Sequence, residues 1–276
     1  MVTLNPRGKN IVVTGAAGDI GAAVCRQLYA SGDHVHIVGL DRDRDGLAAL
    51  NVSIDRSDRI RDRGEFWPAE LYLTDPIAVG KLKKILEQFL GAAGKLDAVI
   101  CVAGAANDCR GDFPAEHEFE WAFRANFMTA AKTVDATLPF VRRGAGAFVF
   151  TSSVNAILGI GEIPYSSAKA ALTPLARCLA TQFGHEGVRA NALALGTIAT
   201  KIWSRRVKKD PEVLNKIAAR NPRGRVGTAE EAARVLCFLA SPASALINGQ
   251  VIIADGGWSI AAGTITNDPS KPWYDM

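Results

Sequence analysis

IVVTGAAGDIG, residues 11–21, begins as an apolar run from Ile11 to Val13 and passes at Thr14 into a glycine-rich turn; residues 22–30 behind it are helical in composition and contain no proline. A strand, a glycine turn and a helix start together make an anion site. Glycine lets the backbone come close to a diphosphate, and the first-turn amides and the helix dipole face its charge. A glycine turn alone is a weak signal, because it also closes tight strand-to-helix connections. Its place near the N-terminus, after a strand and before a helix, points to a dinucleotide. The candidate contacts are Gly15, Ala17, Gly18, Asp19, Ile20 and Gly21.

The pattern that starts here continues along the chain. Short apolar runs at residues 11–14, 35–40, 71–73, 98–102, 147–151, 189–195 and 251–254 read as strands, several of them apolar throughout, as strands buried on both faces are. Between them lie segments of helical period, such as Val79, Leu82, Leu86 and Phe89, or Val235, Leu236 and Leu239. The alternation predicts an α/β fold, a parallel sheet with helices on both faces. No repeat, low-complexity linker or composition break divides the chain, which predicts one domain over residues 1–258 and a tail over residues 259–276. Trp258, Trp273 and Tyr274 give that tail apolar surface to dock, on the active site or on a neighbouring subunit, unless it frays.

With 276 residues, 48% of them hydrophobic, the chain can bury a large core. Its start, MVTLNPRGKN, lacks the apolar stretch of a signal peptide, and no segment reaches the roughly 18 apolar residues of a membrane span, so a cytoplasmic protein without membrane contact is expected. The five cysteines, Cys25, Cys101, Cys109, Cys178 and Cys237, are scattered and odd in number, which argues against a disulfide framework and a zinc site. His34 and His36 share a strand face without a carboxylate nearby, and no metal is expected. The net charge is +4, and the run from Asp55 to Arg63 interleaves both signs, which suits a solvated loop and not a nucleic-acid surface.

The second strand ends at Asp41, where a carboxylate can accept hydrogen bonds from both ribose hydroxyls and repel a 2′-phosphate, which favours NAD over NADP. Arg42 or Arg44 would receive the phosphate in the opposite case. Further on, YSSAK places Tyr165 and Lys169 four residues apart, on one face of a helix. Moving a proton to or from a carbonyl or hydroxyl oxygen needs an acid or base that titrates near working pH. A free phenol titrates near 10, and an ammonium beside it favours phenolate.

TGAAGDIG, Asn126 in RANFMTA, the doublet Ser152 and Ser153 and YSSAK together resemble the short-chain dehydrogenase/reductase family. The likeness extends through VRANALALG, NPRGRVGTAEEAARVLCFLAS and INGQVIIADGG, nearly the whole chain. It implies a doubly wound Rossmann fold with a seven-stranded parallel sheet. It also implies a catalytic set of Asn126, Ser153, Tyr165 and Lys169: serine holds the substrate oxygen, tyrosine exchanges the proton, lysine binds the nicotinamide ribose, and asparagine holds a relaying water. Ser153 is chosen over Ser152 because Val-Asn-Ala follows it. Further cofactor contacts carried over are Tyr72, Leu73, Ala103, Gly104, Ile198 and Thr200, and the partners implied are a small alcohol or carbonyl substrate and further copies of the chain, as a homotetramer or homodimer. The helices at residues 118–138 and 166–183 would build part of that assembly.

Four positions depart from the pattern. Asp19 replaces the second glycine of the loop, and an aspartate there repels phosphates unless it turns outward or caps the helix. Tyr72 stands where the family commonly has aspartate, Cys101-Val102-Ala103-Gly104 where it has N-N-A-G, and Leu195-Gly196 where it has Pro-Gly, which implies an adapted pocket and weaker NAD(P) affinity. The same loop also fits the extended branch of epimerases and dehydratases, although the chain lacks the length of their substrate domain, and a non-enzymatic dinucleotide sensor is the third reading. Residues 201–223 occupy the variable substrate loop, where Arg205, Arg206, Lys208 and Lys209 either attract an anionic substrate or form a solvated face.

Overall fold

The computed structural model describes residues 9–31, 34–56, 64–106 and 113–261. Cys109, most of the charge run, Trp273 and Tyr274 lie outside the described residues. Seven strands form one parallel sheet: β1 (Asn10–Thr14), β2 (His36–Asp41), β3 (Phe66–Glu70), β4 (Ala98–Cys101), β5 (Ala147–Ser153), β6 (Arg189–Leu195) and β7 (Val251–Ala254). Their spatial order is β3-β2-β1-β4-β5-β6-β7, each hydrogen-bonded pair parallel. The third strand is Phe66–Glu70 and not residues 71–73. FWPAE hides it because of Pro68, which a central strand would not tolerate; at the sheet edge, with β2 as sole neighbour, the missing amide faces no partner.

The helices are α1 (Asp19–Ala30), α2 (Arg44–Arg56), α3 (Ala78–Leu90), α4 (Glu116–Phe123), α5 (Thr129–Thr137), α6 (Ile163–Ala170), α7 (Leu172–Phe183), α8 (Ser204–Lys209), α9 (Val213–Ala218), α10 (Ala229–Ala240) and α11 (Trp258–Ala261). Alternate strand residues feed two cores. Ile11, Val13, Ala147 and Val149 meet α1, α2 and α10 on one face, through residues such as Leu50 and Leu236. Val12, Phe148 and Phe150 meet α3, α5 and α7 on the other, through Leu82, Val134 and Leu179. Phe148 and Phe150 are both fully buried and stack 6.3 Å apart; truncating either to alanine would cost about 3–5 kcal/mol.

The expected long helix over residues 118–138 is interrupted. Between α4 and α5 the chain widens into a π-helical turn, Arg124–Met128, with Asn126 buried at its centre. Such turns place an extra residue in a helix and recur at functional sites. The second expected helix is also two helices, α6 and α7, meeting at Ala171.

The sheet order reverses between β1 and β4, whose chains leave in opposite directions. The crevice beyond their carboxyl ends is where an open α/β sheet binds its ligand. Thr14, the last residue of β1, holds that crevice together: its Oγ1 accepts a 3.1 Å hydrogen bond from the amide of Ala103, just past β4.

Candidate active site

The glycine loop is built for close backbone approach. Gly15 has φ +68°, and a Cβ there would come within 2.8 Å of the Ala103 amide nitrogen. A Cβ on Gly21 would fall 2.0 Å from the Gly15 carbonyl oxygen. Only glycine at both positions lets β1, the loop and α1 nest this tightly beside β4. The first-turn amides of α1 then face the crevice with no earlier helical carbonyl to bond. This cradle suits a diphosphate.

At the next strand end, Asp41 steadies the same loop. Its Oδ2 accepts a 3.0 Å hydrogen bond from the amide of Ala17, and its Oδ1 one of 3.0 Å from Asp43. Each oxygen keeps a further lone pair, so the carboxylate can still take ribose hydroxyls. Arg42 is exposed, Tyr72 is 47% exposed just after β3, and Leu73 is buried.

Asp19 turns away from its helix. The cap residue of α1 is Gly18, without a side-chain bond, and the Asp19 carboxylate instead accepts a 2.6 Å hydrogen bond from the amide of Lys201, across the crevice.

Tyr165 and Lys169 lie on α6 one turn apart, as their spacing predicts. Tyr165 is half-buried, with its phenol beside the side chain of Ser153 at the end of β5. The two serines separate by role: Ser153 Oγ also accepts the amide of Asn155 at 3.2 Å, whereas Ser152 donates to the carbonyl oxygen of Lys169 at 3.1 Å and faces the core. Lys169 is buried, with Nζ 5.8 Å from the centroid of the Tyr165 ring and 2.7 Å from the carbonyl oxygen of Thr151. Burial lowers its pKa to about 8, against a weaker upward pull from Cys101. Burial also pushes the Tyr165 phenol up, and the Ser153 side chain opposes it. Burial is the larger of these two influences on the phenol.

Asn126 reaches the same point from the π-helical turn. Its side chain accepts from the amide of Ala105 at 3.1 Å and donates to the carbonyls of Ala105 at 2.9 Å and Ala122 at 3.0 Å. It therefore fastens the chain leaving β4. Gly104 makes the approach possible, since a Cβ there would lie 2.6 Å from Asn126 Oδ1 and 3.0 Å from Lys169 Nζ.

Ile198 and Thr200 follow β6. Ile198 pairs with Gly227 as an isolated parallel bridge, and a Cβ on Gly227 would strike its Cδ1 at 2.6 Å. Gly227 is held by the start of α10, where Thr228 and Glu231 cap each other reciprocally and Glu231 also binds Arg223 at 3.0 Å and Arg225 at 2.7 Å. Those ion pairs draw the Glu231 carboxyl well below the usual range. The NPRGRVGTAEE segment thus serves the site as a buttress. Sequence reasoning missed Thr14, Ala105 and Gly227. The one available signal was a polar residue closing an apolar strand, at Thr14; the other two act through backbone and leave no pattern.

Residues 15–259 match the sequence profile of the family described as Enoyl-(Acyl carrier protein) reductase. The chain belongs to the short-chain dehydrogenase/reductase family. An uncharacterized oxidoreductase of Schizosaccharomyces pombe is 30% identical over 91% of this chain and 90% of its own length. The 2-keto-3-deoxy-L-fuconate dehydrogenase of Xanthomonas campestris is 31% identical over 92% and 81%. Among solved structures, an oxidoreductase of the same family from Burkholderia thailandensis superposes with a TM-score of 0.80 at 32% identity, covering 93% of this chain and 94% of that one. As a short-chain dehydrogenase/reductase, the chain is an NAD(P)-dependent oxidoreductase acting on alcohol or carbonyl groups. Among the described residues no helix is long and apolar enough to cross a membrane.

Proposed function

We propose that the chain transfers a hydride between NAD and a secondary alcohol, a sugar or polyol, or the corresponding ketone, with Asn126, Ser153, Tyr165 and Lys169 as its working residues. The observation that carries this reading is the Tyr165 phenol beside the Ser153 side chain at the end of β5, with the Lys169 ammonium 5.8 Å from the tyrosine ring. The two hydroxyls define one place for a substrate oxygen.

The dinucleotide would be held at its diphosphate by the Gly15–Gly21 loop and the start of α1, at its adenosine ribose by Asp41, at its nicotinamide ribose by Tyr165 and Lys169, and further along by Ile198 and Thr200. Bound there, it supplies or accepts the hydride; the protein orients and polarises. In alcohol oxidation, the Tyr165 phenolate takes the hydroxyl proton while Ser153 donates a hydrogen bond to the same oxygen. In reduction, Tyr165 returns the proton as the carbonyl becomes a hydroxyl. Lys169 favours the phenolate electrostatically, and Asn126 keeps the Gly104–Ala105 backbone beside the lysine.

NAD is favoured over NADP because the Asp41 carboxylate lies where a 2′-phosphate would meet its charge. A homo-oligomer in the cytoplasm is part of the proposal; Trp121 and Met128, 41% and 40% exposed on the α4–α5 pair, supply apolar surface for it. Nucleic acid has no place in this reading.

Tyr165→Phe tests it. Turnover of alcohols or ketones should fall at least a hundredfold while NAD still raises the melting temperature, because a ligand of the folded state stabilises it whether or not chemistry follows. Unchanged turnover would remove the assignment, and a larger thermal shift with NADP than with NAD would reverse the cofactor preference.

A further inference from the structure

The carboxylate of Asp19 joins two segments 182 residues apart in sequence: its Oδ2 lies 2.6 Å from the amide nitrogen of Lys201. Asp19 sits in the glycine loop. Lys201 opens the 3-10 turn Lys201–Trp203, which runs directly into α8. The two walls of the crevice, the glycine loop and the stretch carrying Ile198 and Thr200, are therefore tied directly to each other.

The far end of the same segment is tied as well. Arg206 on α8 lies 3.4 Å from the carboxylate of Glu162, the residue immediately before α6 and three before Tyr165, and its guanidinium packs 5.3 Å over the Trp203 ring. Residues 201–209 thus bridge from the dinucleotide loop to the catalytic helix. A groove of about 450 Å³, lined by Asp19, Lys201, Arg26, Ser53 and Glu230 among others, opens behind the Asp19 bond.

We propose that Asp19 is a positioning residue for substrate binding: by holding the Lys201 amide, it keeps residues 201–209 seated against the start of α6 before any cofactor arrives. The proposal rests on the dinucleotide reading of the glycine loop. The arrangement has a consequence of opposite sign for the cofactor, because the same carboxylate stands near the diphosphate cradle and repels it. Acceptor and charge can be separated. Asp19→Asn keeps an oxygen that can accept from Lys201 and loses the charge; Asp19→Ala loses both.

The test is limited trypsin digestion of the cofactor-free full chain with peptide mapping, since residues 201–209 contain Lys201, Arg205, Arg206, Lys208 and Lys209. Asp19→Ala should be cut several-fold faster within that segment and at wild-type rates elsewhere, and Asp19→Asn should cut as wild type does. Equal cutting of Asp19→Ala and wild type overturns the proposal. So does acceleration spread over the whole chain, which reports a loosened fold, or an Asn variant that fails to restore protection. In turnover assays Asp19→Ala should raise the substrate KM roughly tenfold, the scale of one charge-assisted hydrogen bond, and Asp19→Asn should return it towards the wild-type value; an unchanged KM in Asp19→Ala also overturns the proposal. If the oxidoreductase reading itself fails, no variant turns over and the digestion result still stands.

Discussion

The ammonium of Lys169 donates a 2.7 Å hydrogen bond to the carbonyl oxygen of Thr151, and no carboxylate among the described residues pairs with it. Burying a cation costs stability, and the pKa of Lys169 falls accordingly from 10.5 to about 8. Between those two values the unfolded chain carries a proton the folded chain lacks, so stability rises with pH over that window and the cost is fully present below it. Lys169→Met should therefore melt above wild type at pH 7 by about 1–3 kcal/mol, after loss of the bond to Thr151 is set against the gain. Its advantage should shrink as pH climbs from 8 towards 10, and its turnover should be lost throughout. Thermal melts across that range check the sign.

Ser152 and Ser153 are neighbours with different work. Ser152 bonds the carbonyl of Lys169 in the core, and removing that bond in Ser152→Ala should cost about 1 kcal/mol of stability with a modest effect on rate. Ser153→Ala removes the hydroxyl that meets Tyr165. It should lower kcat at least a hundredfold and leave the melting temperature within a degree or two. Parallel melts and kinetics of the two variants check the division, and the reverse pattern would exchange their roles.

Asp41 accepts from the amides of Ala17 and Asp43 with its two oxygens, so it shapes the glycine loop as well as standing at the proposed ribose site. Asp41→Ala should weaken NAD by about tenfold or more, the value of a lost charged hydrogen-bond acceptor, and improve NADP relative to NAD. Isothermal titration with both dinucleotides reads the ratio directly. A preference that does not move would show that Asp41 serves the loop alone.

The parts of the fold visible in the sequence are those where one physical demand dominates. β4 and residues 147–150 of β5 are buried on both faces and appear as unbroken apolar runs, and Tyr165 with Lys169 appears as helical spacing. β3 was misplaced because an edge strand relaxes that demand, tolerating Pro68 and exposed alternate residues, while Leu71 and Leu73 beside it are buried without being a strand. RANFM carries ordinary helical composition, so the π-helical turn that places Asn126 depends on tertiary packing and could not be read from it. Asp19 was legible as an oddity that had to turn away from the phosphates. Where it turned was not, because its partner is a backbone amide, and backbone carries no sequence signal.

Gly104 gives the sharpest test of the site's geometry. It has an ordinary φ, so alanine is not barred by backbone strain; the obstacle is that a methyl group would press on Asn126 Oδ1 at 2.6 Å and on Lys169 Nζ at 3.0 Å. The first distance is too short for carbon and the second is tight, so the asparagine must give up part of its bonding to Ala105 and the lysine is pressed against the carbonyl of Thr151. Overpacking of this kind costs about 1–3 kcal/mol, and a displacement of about 1 Å at a reacting centre is worth about a hundredfold in rate. Gly104→Ala should therefore lose about two orders of magnitude in kcat, with stability falling within that range and the chain still folded at room temperature. Steady-state kinetics with a thermal melt of the same sample check both halves, and wild-type activity in Gly104→Ala would mean that Asn126 and Lys169 need not approach each other for the chemistry.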